Sequence, residues 1–227
     1  MGAASRGVPA SYPQRGFLPP PDATEVVLVR HGASAAAVPG VPFPMVEGHG
    51  DPPLAAEGVR QAEAVAERLA KEAVAGIFVS GLTRTVQTAA PLAERLGIEP
   101  VVVPELREVN LGDWEGGELR IRAARRDPIA MRLIAEERWD VIPNAESMES
   151  LAQRVRVGFD KVVAAAGPGS TAVAFVHGGV IGELCRQATS SRPFAFTLSD
   201  NASITRLVVL SDERWLLRGF NDTAHLP

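Results

Sequence analysis

A chain of 227 residues, 46% apolar and 22% charged, has the length and composition of a globular protein with a sizeable core. Its net charge of -4 speaks against nucleic acid or an anionic membrane surface as a general partner. The single cysteine, Cys185, excludes an intrachain disulfide, and no apolar run nears the ~18 residues needed to span a bilayer, so a cytoplasmic location is expected.

The first 24 residues are rich in Pro, Gly, Ala and Ser and lack the apolar core of a signal peptide. They are expected to form a loose tail pinned by Tyr12 and Phe17. Residues 25–227 are expected to form one domain. Strand-like runs then alternate with helix-like ones. Strands are predicted at 25–29, 76–79, 99–103, 171–176, 204–210 and 215–220, mostly as continuous runs of branched and aromatic residues. Amphipathic helices are predicted over 54–72, over 80–97 with Ser80 as N-cap and Gly97 as stop, over 144–167, and over 180–188. The last two strands, joined by a short turn, predict a terminal hairpin that offers a sheet edge to a twin subunit. The pattern reads as α/β: a three-layer α/β/α sandwich around a mainly parallel sheet. Residues 116–142 break it. They are charged, carry Arg120, Arg122, Arg125 and Arg126, and read as an insertion that is either a specificity lid or a solvated helix face.

In a parallel sheet, ligands bind outside the carboxyl ends of the strands. Three junctions lie there: Arg30-His31-Gly32, Ser80-Gly81-Leu82-Thr83-Arg84, and His177-Gly178-Gly179. The latter two also begin helices, whose free N–H groups attract anions, phosphate above all. Arg30 and Arg84 add fixed charge and bidentate donors. The residues alone therefore point to a phosphate site with two histidines at its rim.

The segments "VLVRHGAS", "GDPPLAAEGVRQA", "VSGLTRTVQTAAPLA", "LREVNLGDWEG", "PNAESMESLAQRV", "FVHGGVI" and "DNASITRL" occur in order from about residue 25 to 226. As a set they resemble the histidine phosphatase superfamily, in its phosphoglycerate-mutase-like branch. The resemblance implies a phosphomonoesterase that works through a covalent phosphohistidine. It makes His31 the nucleophile and Glu108 the proton donor. It places Arg30, Arg84 and His177 around the phosphoryl group, with Gly178, Ser34 and Asn201 as further phosphate contacts. It implies no metal and no cofactor, a small phosphorylated substrate, and an acidic pH optimum, because the donor acid must hold its proton.

The chain departs from the family pattern after "RHG". Ala33 and Ser34 stand where Glu or Gln and Thr are usual, and Ala37 stands where Asn is usual. The proline-rich stretch 38–50 forms either a pocket wall, with Phe43 and Met45 as contacts, or a stiff packed loop. Two rivals remain. One is a phosphoglycerate mutase, which usually reads "ERHYG" where this chain reads "REVNLG". The other is a catalytically weak module that binds a phosphorylated ligand. His49 and His225 read as structural or solvent-facing, Asp51 and Asp113 as turn residues, Trp114 and Trp139 as core in preference to pocket lining, and Cys185 as a packed, inert thiol.

Overall fold

The computed structural model describes residues 12–227. The first part of the expected tail, residues 1–11, lies outside the described residues. Of its two expected anchors, Tyr12 is exposed, while the Phe17 ring lies 4.0 Å from the Arg218 guanidinium carbon.

The chain begins with β1 (Thr24–Arg30), followed by a small hairpin of β2 (Met45–Val46) and β3 (His49–Gly50). Next come α1 (Ala56–Leu69), β4 (Val74–Val79), α2 (Thr83–Leu96) and β5 (Val101–Val102). Two short helices, α3 (Glu118–Ala124) and α4 (Pro128–Glu136), precede α5 (Met148–Ala166), β6 (Thr171–Val176) and α6 (Gly178–Thr189). The chain closes with β7 (Ile204–Val209) and β8 (Trp215–Asp222). The main sheet has the order β5-β4-β6-β1-β7-β8. Strands β5, β4, β6 and β1 run parallel, and β7 pairs antiparallel with both β1 and β8.

Alternation along β1 explains the layers. Val26 and Leu28 join α5 and α6 through Leu151, Phe159 and Leu184 on one face. Val27 and Val29 join α1 and α2 through Val65, Leu69 and Leu92 on the other. Both faces are covered, so the strand is apolar throughout. The result is the expected α/β/α sandwich with a mixed, mainly parallel sheet.

Three local expectations change. The predicted strand at 99–103 shrinks to Val101–Val102, both half-exposed at the sheet edge. Ser80 is not the N-cap of α2: Leu82 holds that position without a side-chain cap, because the Ser80 hydroxyl is engaged elsewhere. Gly97 does end the helix, at φ 64°, where a side chain would be strained. The segment 116–142 carries a solvated helix face, one of the two readings offered for it, and an apolar underside. α3 and α4 enclose a small cluster of Trp114, Ala130, Leu133 and Ile142, while Arg125 and Arg126 face solvent.

Candidate active site

β1 and β6 are adjacent and in register, with Arg30 opposite Val176. The residues that follow each strand therefore meet, and the rings of His31 and His177 lie 5.2 Å apart, edge to face. The turn after His31 runs against the start of α1. A Cβ on Gly32 would lie 2.6 Å from the Gly58 carbonyl oxygen, and one on Gly58 would lie 2.1 Å from that of Ala33. Glycine at both positions lets the two backbones touch.

His31 is buried, and its Nδ1 donates to the Gly32 carbonyl at 2.8 Å. A carbonyl can only accept, so Nδ1 carries the proton and Nε2 keeps a free lone pair. Burial first, then the charges of Arg84 and Arg30, hold His31 well below the usual histidine range. The ring is neutral at pH 7. Asn201 Nδ2 and the Ala202 N–H both donate to the His31 carbonyl, which fixes the junction from behind.

His177 is fully buried and held by a relay. Thr85 Oγ1 donates to the Leu82 carbonyl, so it can only accept from Ser80 Oγ at 3.1 Å. Ser80 in turn accepts from His177 Nε2 at 2.8 Å. That leaves His177 Nδ1 buried and without a partner. Burial, then Arg84, hold this histidine too well below its usual range.

Each arginine is anchored by backbone. Arg30 donates to the Ser199 carbonyl. Arg84 donates to the Gly50 carbonyl at 2.9 Å and lies 3.7 Å from Asp51. Asp51 is no mere turn residue. Buried, it accepts from the Thr83 N–H and hydroxyl at 2.8 and 2.6 Å and so joins the start of α2 to the loop before α1. Glu108 accepts from the Gly179 N–H at the start of α6 (3.1 Å) and from the Val109 N–H (3.0 Å). Behind it, Arg154 pairs with Glu146 at 2.7 Å and donates to the carbonyls of Glu105, Arg107 and Glu108.

Arg30, His31, Arg84 and Glu108 open onto a cavity of about 230 Å³ and form its polar end, while His177 lies buried outside its lining. The cavity's other walls are Phe43 and Pro52 from the proline-rich loop, and Val109, Leu111, Trp114, Leu119 and Trp139 from the segment beyond. Of the two readings of the proline-rich loop, the pocket wall holds for Phe43, whereas Met45 is half-exposed and outside the lining. Ala37 packs near Gly117 and Phe43, so an apolar contact replaces the usual amide. Ser34 and Asn201 lie outside the lining. Ser34 accepts from Arg120 at 2.7 Å. Gly178 begins α6 beside Arg30 and is also outside the lining. Several lining residues were not singled out by the sequence, among them Val109, Leu111, Glu115 and Leu119; Arg120 was seen only as part of a basic patch, and His49 was read as structural or solvent-facing. Among the described residues, no group of three or more His, Cys, Asp or Glu is arranged to hold a metal ion.

The family model for the histidine phosphatase superfamily, branch 1, matches residues 26–223. The chain belongs to that superfamily. It is 32% identical over 209 residues to a probable phosphoglycerate mutase of Yersinia enterocolitica, covering 89% of this chain and 94% of the other. It is 30% identical to a metal-independent phosphoserine phosphatase of Arabidopsis thaliana, covering 90% and 84%. Among solved structures, a mycobacterial hydrolase superposes with a TM-score of 0.72 at 32% identity, covering 88% of this chain and 99% of the other. A mycobacterial glucosyl-3-phosphoglycerate phosphatase superposes with a TM-score of 0.70 at 29% identity, covering 88% and 100%. The chain is a phosphatase of this superfamily. No helix among the described residues is long and apolar enough to cross a membrane.

Proposed function

We propose that the protein hydrolyses a small phosphomonoester through a covalent phosphohistidine on His31. The observation that carries this reading is the free Nε2 lone pair of a neutral, buried His31 at the arginine-lined end of the cavity. Nε2 attacks phosphorus, the N–P bond forms, and the bond to the ester oxygen breaks. Glu108 gives its proton to the departing alkoxide, then takes one from the water that attacks phosphorus and breaks the N–P bond. Arg30 and Arg84 hold the phosphoryl oxygens and stabilise the charge that shifts among them. His177 Nδ1 takes up the proton that a phosphate monoanion brings with it and donates it back to a phosphoryl oxygen, since a nearby anion favours the charged ring. No step needs a metal.

The test is hydrolysis of p-nitrophenyl phosphate from pH 4 to 9, with and without EDTA, by the native enzyme and His31→Ala. Turnover that survives EDTA, is lost in the variant by more than about a thousandfold, and falls towards pH 9 is expected. A rate that rises steadily from pH 5 to 9 overturns the assigned role of Glu108. Tight phosphate binding without turnover points instead to a binding module, and interconversion of phosphoglycerates points to a mutase. We read the location as cytoplasmic. The outer edge of β8 is where a homodimer would pair, and a monomeric mass by light scattering disposes of that pairing.

A further inference from the structure

His49 sits on β3 and lines the cavity. Its Nδ1 lies 3.2 Å from the Glu47 carbonyl, which can only accept. In the neutral ring the proton is therefore on Nδ1 and the lone pair on Nε2. That Nε2 is buried and has no partner within the protein. An acceptor left in this state is costly unless a ligand or water supplies a donor.

Two neighbouring polar side chains of the lining, Glu115 and Arg120, are already held by the protein. Both Glu115 oxygens accept from backbone, one from the Gly50 N–H at 2.7 Å and the other from the Leu111 N–H at 2.9 Å. Both terminal nitrogens of Arg120 donate, to the Ala35 carbonyl at 2.9 Å and to Ser34 Oγ at 2.7 Å. The face of Arg120 lies over the Phe43 ring. Charge is balanced as well. The guanidinium groups of Arg30, Arg84 and Arg120 are matched by three carboxyl groups, Glu108 and Glu115 in the lining and Asp51 beside Arg84. A second anionic group on the substrate, beyond its phosphate, would leave that balance more negative.

We infer that His49 Nε2 is a specificity-determining acceptor, and that the leaving group is a neutral alcohol with a hydroxyl that donates to it. This rests on the phosphatase reading above and names the substrate class for the same site. A site built around such an acceptor discriminates against the analogue that lacks the donor, because the buried lone pair is then left unpaired.

The experiment compares kcat/KM for matched pairs: phenyl phosphate with 2- and 3-hydroxyphenyl phosphate, and propyl phosphate with glycerol 1-phosphate. 3-Phosphoglycerate and phosphoserine serve as anionic competitors. For the native enzyme, at least one hydroxylated member of a pair is expected to exceed its deoxy partner by about tenfold or more. Glycerol 1-phosphate is expected to exceed both carboxylate-bearing esters. In His49→Ala the hydroxyl-to-deoxy ratio should fall towards one, and His49→Gln, which keeps an acceptor, should restore part of it. A native ratio near one in every pair, a ratio unchanged in His49→Ala, or a preference for a carboxylate-bearing ester overturns the inference. Hydrolysis of p-nitrophenyl phosphate by the native enzyme reports the phosphatase reading separately, so the two can fail independently.

Discussion

Ser80 acts one hydrogen bond away from the chemistry. Its hydroxyl fixes which His177 nitrogen carries the proton, and Thr85 fixes the hydroxyl. Ser80→Ala leaves a buried N–H without an acceptor, at about 1–3 kcal/mol. A fall in kcat of about ten- to a hundredfold with little change in KM is expected, with Ser80→Thr recovering part of it. Steady-state kinetics decide, and an unchanged kcat refutes the relay. Gly179 gives a sharper case. A Cβ there would lie 2.6 Å from Glu108 Oε1 and 2.6 Å from Val109 Cγ2. Gly179→Ala must push the carboxyl aside, so a loss in kcat of about a hundredfold is expected for alkyl esters. For p-nitrophenyl phosphate, whose leaving group needs little protonation, the loss should be smaller. At this scale the sequence was readable where a side chain sits at the tip of a strand, as with His31 and His177. It was silent on the roles of His49, Asp51 and Arg120, because their positions depend on how the β2–β3 hairpin and α3 fold back over the sheet.

The elements behind the site have their own contribution. α5 supplies Arg154, whose guanidinium fastens the carbonyls of residues 105, 107 and 108 while pairing with the half-buried Glu146. Arg154→Met removes the fastening and strands the Glu146 carboxylate. It should lower stability by about 3 kcal/mol and reduce kcat as the Glu108 loop loosens. Urea denaturation and the pH profile would show both. An Arg154→Met, Glu146→Leu double variant should regain much of the stability but not the rate, which separates packing from positioning. The links from Arg154 to the carbonyls of Glu105, Arg107 and Glu108 were invisible in sequence, since they join a helix to a loop far away in the chain, whereas Glu146 lies just before α5. Helix α5 itself was plain, from its apolar period, the cap Ser147, which accepts from the Ser150 N–H at 3.1 Å, and the stop at Gly167. The edge strand β5 was overestimated because Val101, Val102 and Val103 look like a core run. Only two of them pair, and the third turns into the loop that leads to Glu108.

For the whole molecule, burying two neutral histidines ties stability to pH. Both rings have folded values below the ordinary value of about 6.5, so below that pH the unfolded chain binds more protons than the folded one. Stability should be greatest above about pH 6.5. It should fall as the solution is acidified, by at most about 1.4 kcal/mol per pH unit for each histidine. Inorganic phosphate should offset this loss by binding the folded state and favouring the charged form of His177. Melting temperatures from pH 7.5 to 5, with and without phosphate, test the claim, and a flat profile contradicts it. Cys185 takes no part: burial pushes its thiol up to about 12. The layered fold was legible throughout, because each covered strand is written as a continuous apolar run. The cavity joins two parts of different origin. His31 and His177 stand at the ends of adjacent, hydrogen-bonded parallel strands, whereas Phe43, His49, Leu119 and Trp139 come from connecting segments outside the main sheet. The reacting end and the selecting end can therefore change independently. Exchanging residues 38–50 and 112–142 for segments of another shape should redirect the enzyme to a new alcohol without rebuilding the strand ends, which makes this architecture readily diversified by loop replacement.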